Sequence, residues 1–326
     1  MKYLIIDDEH ELYRLMYADV FKCPEYDTQE VSPMGKLNTF QKIVSKIHFS
    51  EKINRRVNLP LKDIWNDKYS LSNYEFKPNE KYWIIMLNGT LKKYYSKSYL
   101  QAIKEKNTNV KMCLVMYDNT TNPSSKAAMN LVDVFDIVFS FDKNDCNIYG
   151  FEHIFSTLSY PAFVTKDTKY VSDVFFVGYP GGREEILFST MKKLLTAIQN
   201  CLFIVPGLKS GEKIPGVQYD KTISYVDELM FTYNTNCVLE VLREGQTGIS
   251  LRTCEAIMFN KKLLTNNKAI MEMPFYDPRY IQVFSQAEEI DIDFVNSNVI
   301  PDYHYDGMFS PVKILQRLSE INEIKC

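Results

Sequence analysis

The sequence predicts an α/β protein built from two Rossmann-like domains facing a cleft. Short apolar runs rich in β-branched and aromatic residues alternate with helical patterns along most of the chain, as a parallel sheet wrapped by helices requires. The alternation loosens once, after Tyr160-Pro161, and then restarts. A length of 326 residues also suits about two domains of roughly 100–200 residues each.

In the first half, YLIID (3–7), YWIIML (82–87), VKMCLVMY (110–117) and FDIVFSF (135–141) read as buried strands, because they are continuous apolar runs rather than alternating ones. Helical patterns lie between them at 98–107 and 124–135, the latter opening on serines suited to capping. A linker is expected near 161–170, and DVFFVGYPGGREEILFSTMKKLLTAIQN then reads as the first strand, turn and amphipathic helix of a second domain. Strands at 201–205, 235–242, 262–265 and 280–284 and a helix at 249–259 continue it. The C-terminal FSPVKILQRLSEINEIKC predicts a helix starting at Pro311 with Ser310 as its cap. The expected organisation is 1–165, 166–305, and a helix within 306–326 that returns to the N-terminal domain.

Composition narrows the function classes. Lys+Arg 38 against Asp+Glu 41 leaves a net charge of −3, so no bulk electrostatic attraction favours nucleic acid, and none is expected as a partner. Seven cysteines without a CxxC spacing or a Cys/His cluster argue against a disulfide framework and a zinc site. With no apolar run near the ~20 residues of a bilayer span, a reducing cytoplasm is the expected location. Aromatic residues make up 13% of the chain, a high share. Strand cores account for much of it, and Tyr94-Tyr95, Tyr117, Tyr179, Tyr225, Phe275-Tyr276 and Tyr303–Tyr305 fall in loops from which a ring could stack on a base or sugar.

Ile5-Ile6-Asp7-Asp8-Glu9 matches the acidic pocket that opens a receiver domain, but 48–63 is basic and lacks the strand-end Asp that such a site needs. Two later segments carry more chemistry. Gly178-Tyr179-Pro180-Gly181-Gly182-Arg183 follows a strand, where glycines let a diphosphate approach the backbone and an arginine neutralises it. In LREGQTGISLRTCEAIMFNKKLLTNN (242–267), a glycine turn feeds a helix whose N-terminus suits a phosphate. Arg252 and Glu255 share a face of that helix, one able to reach a phosphate and the other able to accept two vicinal ribose hydroxyls. The same spacing also fits a capped surface helix with an Arg–Glu pair.

The run Gln246-x-Gly248-x-Ser250-x-Arg252-x-x-Glu255-Ala256, followed by Lys261-Lys262-Leu263-Leu264-Thr265-Asn266-Asn267, resembles the donor-site segment of bacterial GT-B glycosyltransferases, particularly those of capsule, O-antigen and lipopolysaccharide gene sets. Asp173 through Gly178 with Arg183, Ile223-Ser224-Tyr225, and Phe139 through Asp142 with Asp145 fit the same group in order. The resemblance spans most of the chain and is dense across 173–283. It implies an acceptor-side first domain and a nucleotide-sugar second domain. The implied activity is transfer of a sugar from a nucleoside-diphosphate donor to a hydroxyl of a glycan or lipid-linked glycan acceptor, with no obligatory cofactor or metal. Its implied donor-binding residues are Gly181, Gly182, Arg183, Tyr225, Gln246, Gly248, Ile249, Ser250, Arg252 and Glu255. The pair of glutamates eight apart found in many retaining members is incomplete here, because Thr247 stands at the earlier position. Retention or inversion therefore does not carry over. A nucleotide-sugar epimerase of similar bilobal fold and a non-catalytic nucleotide-sugar-binding protein are the competing readings.

On the acceptor side, Asp8, His10 and Asp118 are the candidate bases, each placed after a strand that would feed the cleft. His48, His153 and His304 read as structural or surface residues. Residues 36–62 carry seven basic residues and one acid, including Lys42, Lys46, Arg55 and Arg56, with Phe40, Ile43, Val44 and Ile47 at helical spacing. That pattern predicts either a contact with an anionic membrane or lipid-linked pyrophosphate, or a helix packing its apolar face on its own domain.

Overall fold

A computed structural model describes residues 1–7, 9–54, 56–57, 59–208, 213–244, 246 and 248–324. The chain divides into two compact units, one of residues 1–155 with 310–326 and the other of residues 156–309. The segment from 156 onward belongs to the second unit because Leu158 N donates to Phe309 O at 2.7 Å and the Ser156 hydroxyl donates to Ile249 O at 2.6 Å.

The first unit holds six parallel strands, β1 Lys2–Ile6, β2 Asp27–Val31, β3 Tyr82–Leu87, β4 Val110–Met116, β5 Ile137–Ser140 and β6 Glu152–His153, in the order β2-β1-β3-β4-β5-β6. This is a doubly wound arrangement whose strand order reverses between β1 and β3. Its helices are α1 Glu11–Met16, α2 Thr39–His48, α3 Glu51–Asn54, α4 Asn88–Tyr94, α5 Lys97–Lys106, α6 Pro123–Met129 and α7 Lys143–Tyr149. All six residues of β3 are buried, which is why its sequence is apolar without alternation. By contrast, the edge strand β2 reads DTQEV and exposes Asp27, Gln29 and Glu30, so its hydrophobic signal is weak. The expected helix at 124–135 is shorter. It starts at Pro123, a favoured first helical position, and the chain tightens into a single 3₁₀ turn at Val132–Val134 to bury Leu131 and Val134.

The second unit holds β7 Ser172–Val177, β8 Cys201–Ile204, β9 Val217–Gln218, β10 Thr235–Glu240, β11 Lys262–Thr265 and β12 Ile281–Val283, all parallel, in the order β12-β11-β10-β7-β8-β9. Counted from its own first strand this is the Rossmann order 3-2-1-4-5-6, with the reversal between β7 and β10. Helices α8 Glu184–Ala197, α9 Tyr225–Asn234, α10 Leu251–Met258 and α11 Ile292–Asn296 belong to it. Hydroxyl caps fix two starts, since Ser224 accepts from Asp227 N and Ser250 accepts from Arg252 N and Thr253 N.

The helix α12 Val312–Ile324 belongs to the first unit. Its Ile314, Leu315 and Leu318 are buried, Arg317 pairs with Glu152 at 2.7 Å, and Asn322 accepts from Lys111 at 2.8 Å. Packing explains part of the aromatic excess. Tyr95 and Tyr99 stack at 5.6 Å with Tyr69 edge-on to both, so Tyr95 is a core residue rather than a free loop ring. Tyr303 is likewise buried, its hydroxyl donating to Lys261 O at 3.0 Å. The six described cysteines are free.

Candidate functional site

Ligands of open parallel sheets bind outside the carboxyl ends of the strands where the order reverses. In the second unit that point lies after β7 and β10. The loop after β7 ends in Arg183, which donates to Val241 O and, at 3.0 Å, to Tyr179 O. Arg252, on the first turn of α10, donates to Val177 O. Both guanidinium groups lie over the ring of Phe176, at 5.4 Å and 5.1 Å from its centroid. Glycines make the room. A Cβ on Gly178 would lie 2.9 Å from Arg252 Nη2 and 3.1 Å from Arg183 Nη2, while Gly181, at φ +63, would place one 2.7 Å from Arg243 Nε. The space expected to admit a diphosphate backbone contact is thus filled here by guanidinium groups.

Three like charges gather in this way, and none of them forms a salt bridge among the described residues. Burial first, then Arg252 and Arg243, lowers the Arg183 pKa to about 10. The Nε atoms of Arg183 and Arg252 are buried with no hydrogen-bond partner among the described residues. Two orphaned donors on crowded cations suit an anion with several acceptor oxygens.

No protein-family model matches the sequence, and no curated relative matches it. Solved structures do. An E. coli trehalose-6-phosphate structure bound with UDP-2-fluoro glucose superposes with a TM-score of 0.52 at 9% identity, covering 90% of this chain and 89% of that one. A trehalose-6-phosphate synthase gives 0.51 at 10% identity over 90% of both chains, and the α,α-trehalose 6-phosphate synthase of Burkholderia multivorans gives 0.50 at 9% over 90% and 87%. The fold is GT-B.

Within the GT-B second unit, the α9–α10 face differs from the expected donor segment in one respect. Glu255 is fully buried, with Oε1 accepting from the Tyr225 hydroxyl at 2.8 Å and Oε2 without a hydrogen-bond partner among the described residues. Burial, then the charge of Glu228, pushes its pKa up to about 8, while the Tyr225 bond and Arg252 oppose the rise. The bland alternative, a surface Arg–Glu pair, is excluded by this burial. Glu240, at the end of β10, is also buried and accepts from the hydroxyls of Ser250, Thr253 (2.8 Å) and Thr265. Ser250 caps α10, so two of the N–H groups expected to face a phosphate are already satisfied. Gln246 Oε1 accepts from Arg243 N at 3.1 Å, Gly248 O accepts from Asn267, and Ile249 is buried with its carbonyl on Ser156. Gly182 is exposed at φ +86.

The first unit of the GT-B chain carries a cavity of about 830 Å³ after β1, β2 and β3, beside the β1/β3 reversal. Glu9, His10, Lys42, Ser45, Lys46 and Lys93 supply polar lining. Glu9 sits at φ +60 and accepts from Lys93 at 2.7 Å and from the Tyr94 hydroxyl. His10 caps α1, and its Nδ1 accepts from Leu12 N at 3.2 Å, which leaves the ring proton on Nε2. His10 lines the cavity with its Nδ1 engaged in the α1 cap. Asp118 does not line the cavity, and its carbonyl accepts from the Ser125 hydroxyl at 3.3 Å. Arg56 is exposed on the segment after α3. Asp8, Arg55, Gly245 and Thr247 lie outside the described residues.

Sequence reasoning missed Arg243, Glu240 and Glu228. The first two had a signal, since Arg243 stands inside the motif segment and Glu240 is a lone acid closing an apolar strand. Glu228 had none, because only the packing of α9 against α10 brings it to Glu255.

Proposed function

We propose that the protein is a GT-B glycosyltransferase that moves a sugar from a nucleoside-diphosphate sugar to a hydroxyl of a glycan acceptor, with a lipid-linked bacterial surface glycan as the acceptor class. The observation that carries this reading is the pair of arginines with orphaned Nε donors at the β7/β10 reversal. As the bond from the anomeric carbon to the donor's diphosphate breaks, negative charge builds on the departing oxygens. Arg183 and Arg252 supply fixed positive charge there, with Arg243 beside them. Glu255 takes the ribose hydroxyls once the Tyr225 hydroxyl has moved off Oε1.

The acceptor belongs to the cavity of the first unit. Lys42 and Lys46, one helical turn apart on its wall, carry no salt bridge among the described residues and suit an acceptor that bears an anionic group. Glu9 is our choice for the group that receives the acceptor proton, because it is the one carboxylate among the described residues that line the cavity.

A thermal-shift panel of UDP-, GDP- and dTDP-sugars and CMP-sialic acid tests the reading. One nucleotide class should raise the melting temperature, and Arg183→Ala and Arg252→Ala should abolish the rise. Silence across the panel would overturn the donor site. Isomerisation of the nucleotide sugar without an acceptor would make the protein an epimerase, and binding without turnover would make it a binding protein.

A further inference from the structure

The helix α2 is amphipathic, and its apolar stripe points the wrong way for a core helix. Phe40, Ile43 and Ile47 are 74%, 56% and 52% exposed, while Val44 packs on the domain core and Ser45 is buried. A capping box between Asn38 and Gln41 holds the start of the helix, so the exposed stripe is not a frayed end. The following segment continues the pattern, with Val57, Leu61 and Ile64 each more than half exposed. Described residues on both sides of it are tied to the end of α2. The Asn54 amide donates to the carbonyls of His48 and Ser50, His48 Nδ1 accepts from Trp65 Nε1 at 2.8 Å, and its Nε2 donates to Pro60 O at 2.7 Å.

Of the eighteen large hydrophobic residues exposed among the described residues, seven fall between Phe40 and Ile64. Residues 36–64 carry seven basic residues and two acids, Glu51 and Asp63, in a chain whose net charge is −3. Exposed apolar side chains set among cations match a surface with anionic headgroups over hydrocarbon. No helix among the described residues is long and apolar enough to cross a membrane.

We propose that α2 and the segment to Ile64 form a docking face for an anionic lipid bilayer, which the first unit grips without spanning it. The opposite side of the same helix supplies Lys42, Ser45 and Lys46 to the cavity, so docking would set the cavity beside the headgroups. This last consequence rests on the glycosyltransferase reading; the docking itself does not.

Co-sedimentation of the full chain with vesicles of phosphatidylcholine alone and with 30% phosphatidylglycerol tests it. Binding should require the anionic lipid, weaken in high salt, and fall at least tenfold in the variant Phe40→Ser/Ile43→Ser/Ile47→Ser. Those side chains are exposed, so the variant should keep the wild-type melting temperature. Arg56→Glu, outside both candidate sites, gives a second variant that should weaken binding without touching the apolar stripe. Absence of binding to anionic vesicles, or equal binding by both variants, overturns the proposal. So does a wild-type dimer that the serine variant dissolves while vesicles go unbound, since the face would then join two copies. Nucleotide binding, measured without vesicles, reports separately on the donor site.

Discussion

Arg183 and Arg252 hold their guanidinium groups over one ring, that of Phe176, at 5.4 Å and 5.1 Å, although both are positive. Mutual repulsion opposes this arrangement and a bound anion relieves it. Replacing either with methionine should therefore weaken nucleoside-diphosphate binding by tenfold or more, about 1.4 kcal/mol. Stability of the free protein should change by less than that. Isothermal titration beside urea unfolding checks both, and an equal loss in the two would mark the arginines as purely structural.

Glu255 makes stability pH-dependent. Its ordinary pKa of 4.5 rises to about 8 in the folded chain, chiefly through burial. Between those values the folded protein keeps a proton that the unfolded chain has released, so stability falls as pH rises through this window and levels off above it. Glu255→Gln keeps a partner for Tyr225 and removes that dependence. Denaturation midpoints at pH 6 and pH 8.5 should differ less in the variant than in the wild type.

Tyr225 competes with the ribose for the same carboxylate oxygen. Tyr225→Phe should lower the melting temperature of the free protein by leaving Glu255 without its 2.8 Å bond, at a cost of about 1–3 kcal/mol. The shift produced by a saturating nucleotide should grow. A smaller ligand-induced shift would place Tyr225 among the direct donor contacts instead.

Glu240 is a structural anchor for α10. Glu240→Ala would strand the buried hydroxyls of Thr253 and Thr265 and loosen the Ser250 cap, with a loss of about 2–4 kcal/mol in urea unfolding. Lys42→Met with Lys46→Met should leave nucleotide binding intact and raise KM for an anionic acceptor. An unchanged KM would remove the two lysines from acceptor recognition.

Buried strands were legible because burial on both faces leaves one apolar signature, and YWIIML is β3 residue for residue. The polar edge β2 and the two-residue β6 and β9 offer too little apolar surface to be read. In the site, the types of Arg183, Arg252 and Glu255 were readable, but not their company. That Arg243 joins the cations and that Tyr225 covers Glu255 depends on which loops meet at the strand ends, a property of topology rather than of spacing. The basic helix was readable as amphipathic, and its direction was not, because Val44 rather than the Phe40 stripe meets the core.

The placement of α12 sets an order on synthesis. The first unit is written in two pieces, with all 154 residues of 156–309 between them. A ribosome therefore finishes the whole second unit before Ile314, Leu315 and Leu318 can reach the partner surface that waits for them. Until then the nascent first unit carries an uncovered apolar strip, and a chain stopped near Phe309 would keep it for good. Such a chain should depend on chaperones, even with both sheets intact.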